Sequence, residues 1–399
     1  MEIQMKLFVA CGFLLLCTYD ASAADSPYLF IWAADADRQE SDFLAVLDAD
    51  SESPTYGNVL TTLEVGFPSR AHHTEHRMPE DAQLFVNGFG SGRSYVIDLR
   101  EPLKPLLATE FTGIENFSYP HSFERLPNGN VIATFQNAQG GEKKTGGVAE
   151  LTPSGQHVRS SSAADPEFPE IRPYSLLPLP KDDLLVTTTS DMLVEVITDS
   201  VQLWRLSDLS LLRTLRLPKG PRGYEHLDPA EARLMADGKT LLVNTFNCGL
   251  YQVHDVATAS PSISHVFTFG TSKPTDGLFM CALPVTVENF WIQTVPARNG
   301  LVSLDLSDPS NPREVGYLDF GDGIYPHWIA LEPSGRRIVV TGFGDMLNSV
   351  MMVTVDPMTG ALAIDHDFGE DGISSFGGTN WPHGSAGPAV PHGSVFSNP

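Results

Sequence analysis

The chain is 399 residues long and carries 49 acidic against 25 basic side chains, a formal charge of −24 at pH 7. So large an acidic excess repels phosphate backbones and argues against nucleic-acid binding. With 42% hydrophobic and 19% charged residues the balance is that of a folded globular protein, and 34 Gly with 30 Pro argue for many turns and against long helices.

The first 23 residues read as a secretory signal peptide. A polar start ends at Lys6, the apolar run Leu7–Cys17 is too short to span a bilayer, and Ala21-Ser22-Ala23 offers small residues for cleavage. The expectation is a secreted or periplasmic protein cleaved near Ala23, with residues 24–399 as a single domain. No later stretch reaches about 18 apolar residues, so no membrane span is expected. Cleavage removes Cys11 and Cys17 and leaves Cys248 and Cys281. An oxidising compartment permits these two to form a disulfide; buried free thiols, or Cys281 as a metal ligand, are the alternatives.

From residue 28 onward the chain repeats. His73, Pro79 and Asp81 lead into the apolar run 83–86; His121, Pro127 and Gly129 into 131–134; Tyr174, Pro180 and Asp182 into 184–187; His327, Pro333 and Gly335 into 338–341. Looser copies run from Asp237-Gly238 into 241–244 and from Glu288-Asn289 into 290–293, a period of roughly 50 residues. Each run is followed by a strand–turn–strand pattern with Asp, Pro and Gly at its turn, as in Asp305-Leu-Ser-Asp-Pro309. Four strands repeated at this period predict an all-β, seven-bladed β-propeller. The first unit, from Tyr28, lacks an inner strand. The segment Pro391-His-Gly-Ser-Val resembles Pro120-His-Ser-Phe-Glu, so the C-terminal strand is expected to pair into the first blade and close the ring.

A repeated inner-strand position places one residue per blade around the axis: His392, His73, His121, Tyr174, Ala230, Cys281 and His327. In the fifth blade His226 is a second candidate for the ring place. Neutral imidazoles converging on a channel suit copper, iron, zinc or nickel, which makes His73, His121, His226, His327 and His392 candidate metal ligands. His72 is a further candidate, although strand alternation turns it to the opposite face from His73. His76 and His383 rank lower, and His157, His254, His265 and His366 fall in outer hairpins. Glu75, Glu124 and Glu225 are carboxylates near the ring. No phosphate loop, nucleophile elbow or His-Glu-x-x-His helix is present.

At Leu29-Phe-Ile-Trp-Ala-Ala-Asp-Ala-Asp-Arg38, Asp42-Phe-Leu-Ala-Val-Leu-Asp48, Ser53-Pro-Thr-Tyr-Gly57, His72-His73, the His121 strand, the Asp305–Pro309 hairpin and Gly387-Pro-Ala-Val-Pro-His392, the sequence resembles the selenium-binding protein family, which includes methanethiol oxidases. The resemblance implies a seven-bladed propeller and a copper-dependent oxidase that turns methanethiol and O₂ into formaldehyde, H₂S and peroxide. It supports His73, His121, His327 and His392 as the metal site, with His72 attached. Family members carry a Cys-x-x-Cys-type segment after the His-His pair; here Thr74-Glu-His-Arg-Met-Pro-Glu-Asp81 has no Cys, so thiol attachment of selenium there is impossible. Two other readings are kept: a non-catalytic metal-binding or protein-interaction propeller, and another axial-metal propeller enzyme of the iron oxygenase or lactonase type. The natural substrate, the metal's oxidation state and the oligomer are not legible in the sequence.

Overall fold

Runs such as Leu29-Phe-Ile-Trp32 and Leu184-Leu-Val186 are apolar without alternation, and in the computed structural model they are buried throughout. Unbroken burial means that both faces of a strand are covered. The structure describes residues 25–399 except 139–144, 169, 194, 271–280, 345 and 379; the expected signal peptide lies outside the described residues. Among the described residues there is no α-helix, only two short 3₁₀ turns, Pro180–Asp182 and Pro296–Arg298.

The strands form seven antiparallel sheets in chain order. The second blade is typical, with strands Ala71–Thr74, Gln83–Gly88, Arg93–Asp98 and Leu106–Thr112 running from the axis outward. In the seventh blade the outer edge is shared by Leu362–Ile364 and Ile373–Ser375, both paired with Ser349–Val355. The first blade takes its inner strand, Ala389–Phe396, from the far end of the chain, where Leu29 pairs with Phe396 and Phe30 with Val395. The protein is a seven-bladed β-propeller closed by this strand.

The buried apolar residues fall into seven clusters, one between each pair of neighbouring blades. The closing cluster joins Leu29, Ile31, Phe43 and Phe396 of blade one to Val339, Val350 and Met352 of blade seven. At about 1.5–3 kcal/mol per buried large apolar side chain, the ring is held by its interfaces; each blade alone would expose both faces. Cys248 and Cys281 form a disulfide, Cα atoms 5.1 Å apart, between the turn after the second strand of blade five and the start of blade six. The bond closes a loop of 33 residues, which in the chain-entropy account is worth about 3–4 kcal/mol. Cys281→Ser is therefore expected to lower the urea midpoint of unfolding; an unchanged midpoint would contradict this.

A polar girdle fixes the inner strands. In blades two to seven one side chain of the second strand donates to the carbonyl of the axial residue in the next blade. Asn87 donates to His121, Thr134 to Tyr174, Thr188 to Ala230, Asn244 to Ala282, Thr294 to His327 and Thr341 to His392, at 2.6–3.1 Å. Each is a buried bond that ties one blade's second strand to the next blade's inner strand. The register at the axis breaks in five blades. Pro120, Pro229, Pro326 and Pro391 sit at four of these breaks, where a missing N–H costs the ladder nothing.

This pairing corrects two expected ring positions. The N–H groups of Ser122, Ser175 and Glu231 donate to Thr134, Thr188 and Asn244 of their own blades, and in blade two it is His73 whose N–H donates to Asn87. His73 thus corresponds to Ser122, and His72 to His121. In blade six the N–H of Ala282 bonds Thr294 O as that of Tyr174 bonds Thr188 O, so Ala282 holds the axial place and Cys281, one residue earlier, holds the disulfide.

Candidate metal centre

The sequence expects His72 and His73 to point apart. A register break between Ala71 and Thr74 removes the alternation, and the two rings stack at 4.1 Å between centroids. Gly393 makes room for them: a Cβ there would lie 2.6–2.9 Å from the backbone of His72 to Thr74. From blade three His121 approaches so that its Nε2 lies 3.2 Å from Nε2 of His72. His72, His73 and His121 each offer a nitrogen within 4.8 Å of the others. Ligand nitrogens sharing a metal at about 2 Å must lie about 3–4 Å apart.

Around this triad the rings continue. His392 packs on His72 at 4.3 Å and His327 on His392 at 4.9 Å. All five imidazoles are buried. His226 does not join them: it lies in a turn before the inner strand Pro229–Leu234, with Asp199 and Lys219 as charged neighbours. His76 stacks on Trp328 on the far side of the ring, and His383 bonds Thr62 at the rim of blade one. The four histidines of the outer hairpins pair locally, His157 with Glu115 and His366 with Asp371, for example.

Burial makes the cluster neutral. Desolvation is the largest cause of lowered pKa at all five; it takes His121 to about 3 and His327 to about 4, and with the mutual repulsion of the rings it holds His72, His73 and His392 well below the usual imidazole range. The Nδ1–H of His121 donates to the carbonyl of Tyr174 at 2.8 Å, which leaves Nε2 as the bare nitrogen facing His72. Both ring nitrogens of His73, and Nδ1 of His392, are buried without a hydrogen-bond partner. Buried polar atoms are rarely left so, and orphaned neutral imidazoles converging on one point are the donor set of a transition-metal site. The residues present fit a metal ion.

The two ends of the axis differ. Beyond His72 and His121 lies Phe89, and beyond His327 and His392 lies Phe343. Towards the other end, past Trp328, lie His76, Glu231 and Arg233, with Arg233 paired to Glu231 at 2.6 Å. There two depressions of about 500 and 520 Å³ share Arg77, Met78 and Glu80. Glu124 lines one of them, its carboxyl pushed up to about 7 chiefly by burial. Glu75 is tied to Arg125 and the N–H of Phe85, and Glu225 to the turn at Arg222 and Tyr224, so both act structurally. The aromatic residues were missed from the sequence although a signal exists: Asn87-Gly-Phe89, Asn244-Thr-Phe246 and Thr341-Gly-Phe343 repeat one pattern at the ends of equivalent strands.

No family model matches the chain. A methanethiol oxidase from Hyphomicrobium sp is 30% identical over 124 residues, 30% of this chain and 28% of that enzyme. The likeness to the methanethiol oxidase and selenium-binding protein family is supported. The matched part is well under two thirds of the enzyme's length, so likeness of sequence is local. Likeness of fold is not: the X-ray structure of a hypothetical selenium-binding protein from Sulfolobus tokodaii superposes with a TM-score of 0.76 at 16% identity, covering 94% of each chain. The periplasmic gluconolactonase of Pseudomonas aeruginosa gives a TM-score of 0.62 at 14% identity, covering 93% of this chain and 99% of that one. At such identities the two structures speak for the propeller alone. What the fold, the His cluster and the local match support together is a metal-binding propeller.

Proposed function

We propose that the protein is a copper-dependent oxidase of a small thiol, methanethiol or a close analogue, with O₂ as the second substrate and the His cluster as its metal site. The observation that carries the reading is the meeting of His72, His73 and His121, two of them from one bulged strand and the third from the next blade, as buried neutral imidazoles whose nitrogens lie within 4.8 Å of one another. His72, His73 and His121 would hold the ion, with His392 beside them. Copper, when bound, supplies affinity for thiolate sulfur and one-electron exchange; iron and zinc suit the same imidazoles, and copper is favoured by the family resemblance. The carbonyl of Tyr174 fixes the tautomer and orientation of His121. Phe89, Phe343 and Trp328 keep bulk water off the rings, which protects a reactive centre from side reactions. A secreted or periplasmic location belongs to the same proposal, and the Cys248–Cys281 disulfide supports it.

The test is element analysis of the purified protein after copper loading, followed by assay of peroxide, sulfide and formaldehyde from methanethiol under air. One copper per chain with all three products is expected. Stoichiometric metal without turnover would leave a metal-carrying propeller, and no metal at all would end the reading.

A further inference from the structure

One side of the His cluster carries two phenyl rings. In blade two the second strand ends Asn87-Gly88, with Asn87 bonded to the His73 N–H, so Phe89, the next residue, stands one step past the histidines on the end opposite His76. Its ring lies 5.5 Å from His72, 5.9 Å from His121 and 5.7 Å from Tyr119. Tyr119 is held at φ +56°, a conformation that bulky residues seldom adopt. Strain of this kind persists where the surrounding structure imposes it, commonly at functional sites. Across the axis Phe343 occupies the equivalent strand position and lies 5.1 Å from His327 and 6.2 Å from His392. The glycines beside it are required: a Cβ on Gly342 would lie 2.3 Å from Tyr325 O, and one on Gly344, at φ +68°, 2.0 Å from Gly323 O. The chain accepts two tight backbone approaches to seat this phenyl ring over the histidines.

Phenyl rings offer dispersion and apolar area but no strong hydrogen bond. A charged or hydroxylated group placed among them loses its hydration without compensation, whereas each buried methylene or methyl gains. Past Trp328, on the other side of the rings, lie His76 and the Glu231–Arg233 pair; on the Phe89 side the charge that acts on His72 and His392 is a cation, Arg70, whose stem packs by Gly90.

We propose that Phe89 and Phe343, with Tyr119 behind Phe89, form a collar that sets specificity at the His cluster: it admits a thiol whose substituent is short and aliphatic, and rejects thiols bearing an ammonium, which would lose its hydration among the rings and meet Arg70. This rests on the thiol-oxidase reading above and assigns its substrate class to particular side chains. Phe89 and Phe343 are specificity-determining residues; the metal is held by the histidines.

Cobalt(II) serves as the probe, because a thiolate bound to it gives a charge-transfer band that needs no turnover. The full chain loaded with cobalt is titrated with methanethiol, butanethiol and cysteamine. Methanethiol is expected to bind at least about tenfold tighter than either of the others. Phe343→Ala and Phe89→Ala are each expected to raise the affinity for butanethiol relative to methanethiol by about tenfold while cobalt stoichiometry stays the same. If Phe343→Ala fails to fold, Phe343→Leu keeps apolar bulk and should shift the ratio in the same direction. Cysteamine binding to the parent as tightly as methanethiol, or variants that keep the parent's ratio, would overturn the collar alone. A cobalt-loaded parent with no thiolate band for any of the three would overturn the collar and the thiol-oxidase reading together.

Discussion

His121→Ala is expected to weaken metal binding by at least about 100-fold, roughly 2.7 kcal/mol, while leaving the propeller folded. The loss follows from geometry: His121 is the one member of the close triad contributed by blade three, and its Nε2 faces that of His72 at 3.2 Å. The fold survives because the Tyr174 carbonyl, which loses the His121 donor, keeps a 2.7 Å bond from the Thr134 hydroxyl; what remains is a small cavity. His72→Ala should behave alike. His327→Ala should cost less, since His327 meets the triad through His392, and His226→Ala should change nothing, because that side chain sits among the charges of a turn. Metal content after copper loading, with circular dichroism as the check on folding, reads out the order. A His121→Ala protein that retains stoichiometric metal would remove the triad as the site.

The second large effect concerns closure. A chain truncated before Ala389 is expected to lose cooperative folding altogether. The deletion takes Phe396 and Ala389 from the cluster between blades seven and one, strips the inner partner from the strand Tyr28–Asp35, and leaves the Thr341 hydroxyl and the Trp328 indole N–H without their acceptors, the carbonyls of His392 and Ser394. Two buried donors at about 1–3 kcal/mol each and several large side chains at about 1.5–3 kcal/mol each together approach the whole stability of an ordinary domain, about 5–15 kcal/mol. The exposed edge invites pairing with other chains. Phe396→Ala, a milder change, should cost about 3–5 kcal/mol. Urea unfolding and size-exclusion chromatography measure both; a truncated protein that stays monomeric and unfolds at the parent's midpoint would show that closure contributes little.

The architecture was legible because a propeller repeats its physics. Turn residues, apolar runs and hairpin signals recur in every blade, so noise in one unit is averaged by the others, and even the borrowed inner strand announced itself through the likeness of Pro391-His392 to Pro120-His121. The site was legible as a set of histidines and illegible in detail. Strand alternation holds only while the ladder is regular, and the register break at His72-His73 brings both rings to the same side at the one place where the outcome matters. Cys281 was misplaced by one residue for want of a proline marker: Pro precedes the axial residue in five blades, but Cys281 stands there in blade six and Ala71 in blade two. The grouping of His72, His73 and His121 more tightly than His327 and His392 depends on side-chain directions that spacing along the chain does not carry.

Ser26 and Ser397 are bonded although 371 positions separate them, and that seam has a consequence for how the protein is made. In a chain that emerges N-terminus first, blade one begins with a strand apolar from Leu29 to Ala34 whose inner neighbour does not yet exist, and six further blades emerge before it does. Until the last strand arrives the protein therefore presents one half-covered sheet edge. Because His392 travels on the same late strand, the full ring of histidines is assembled only in the molecule that has already shut.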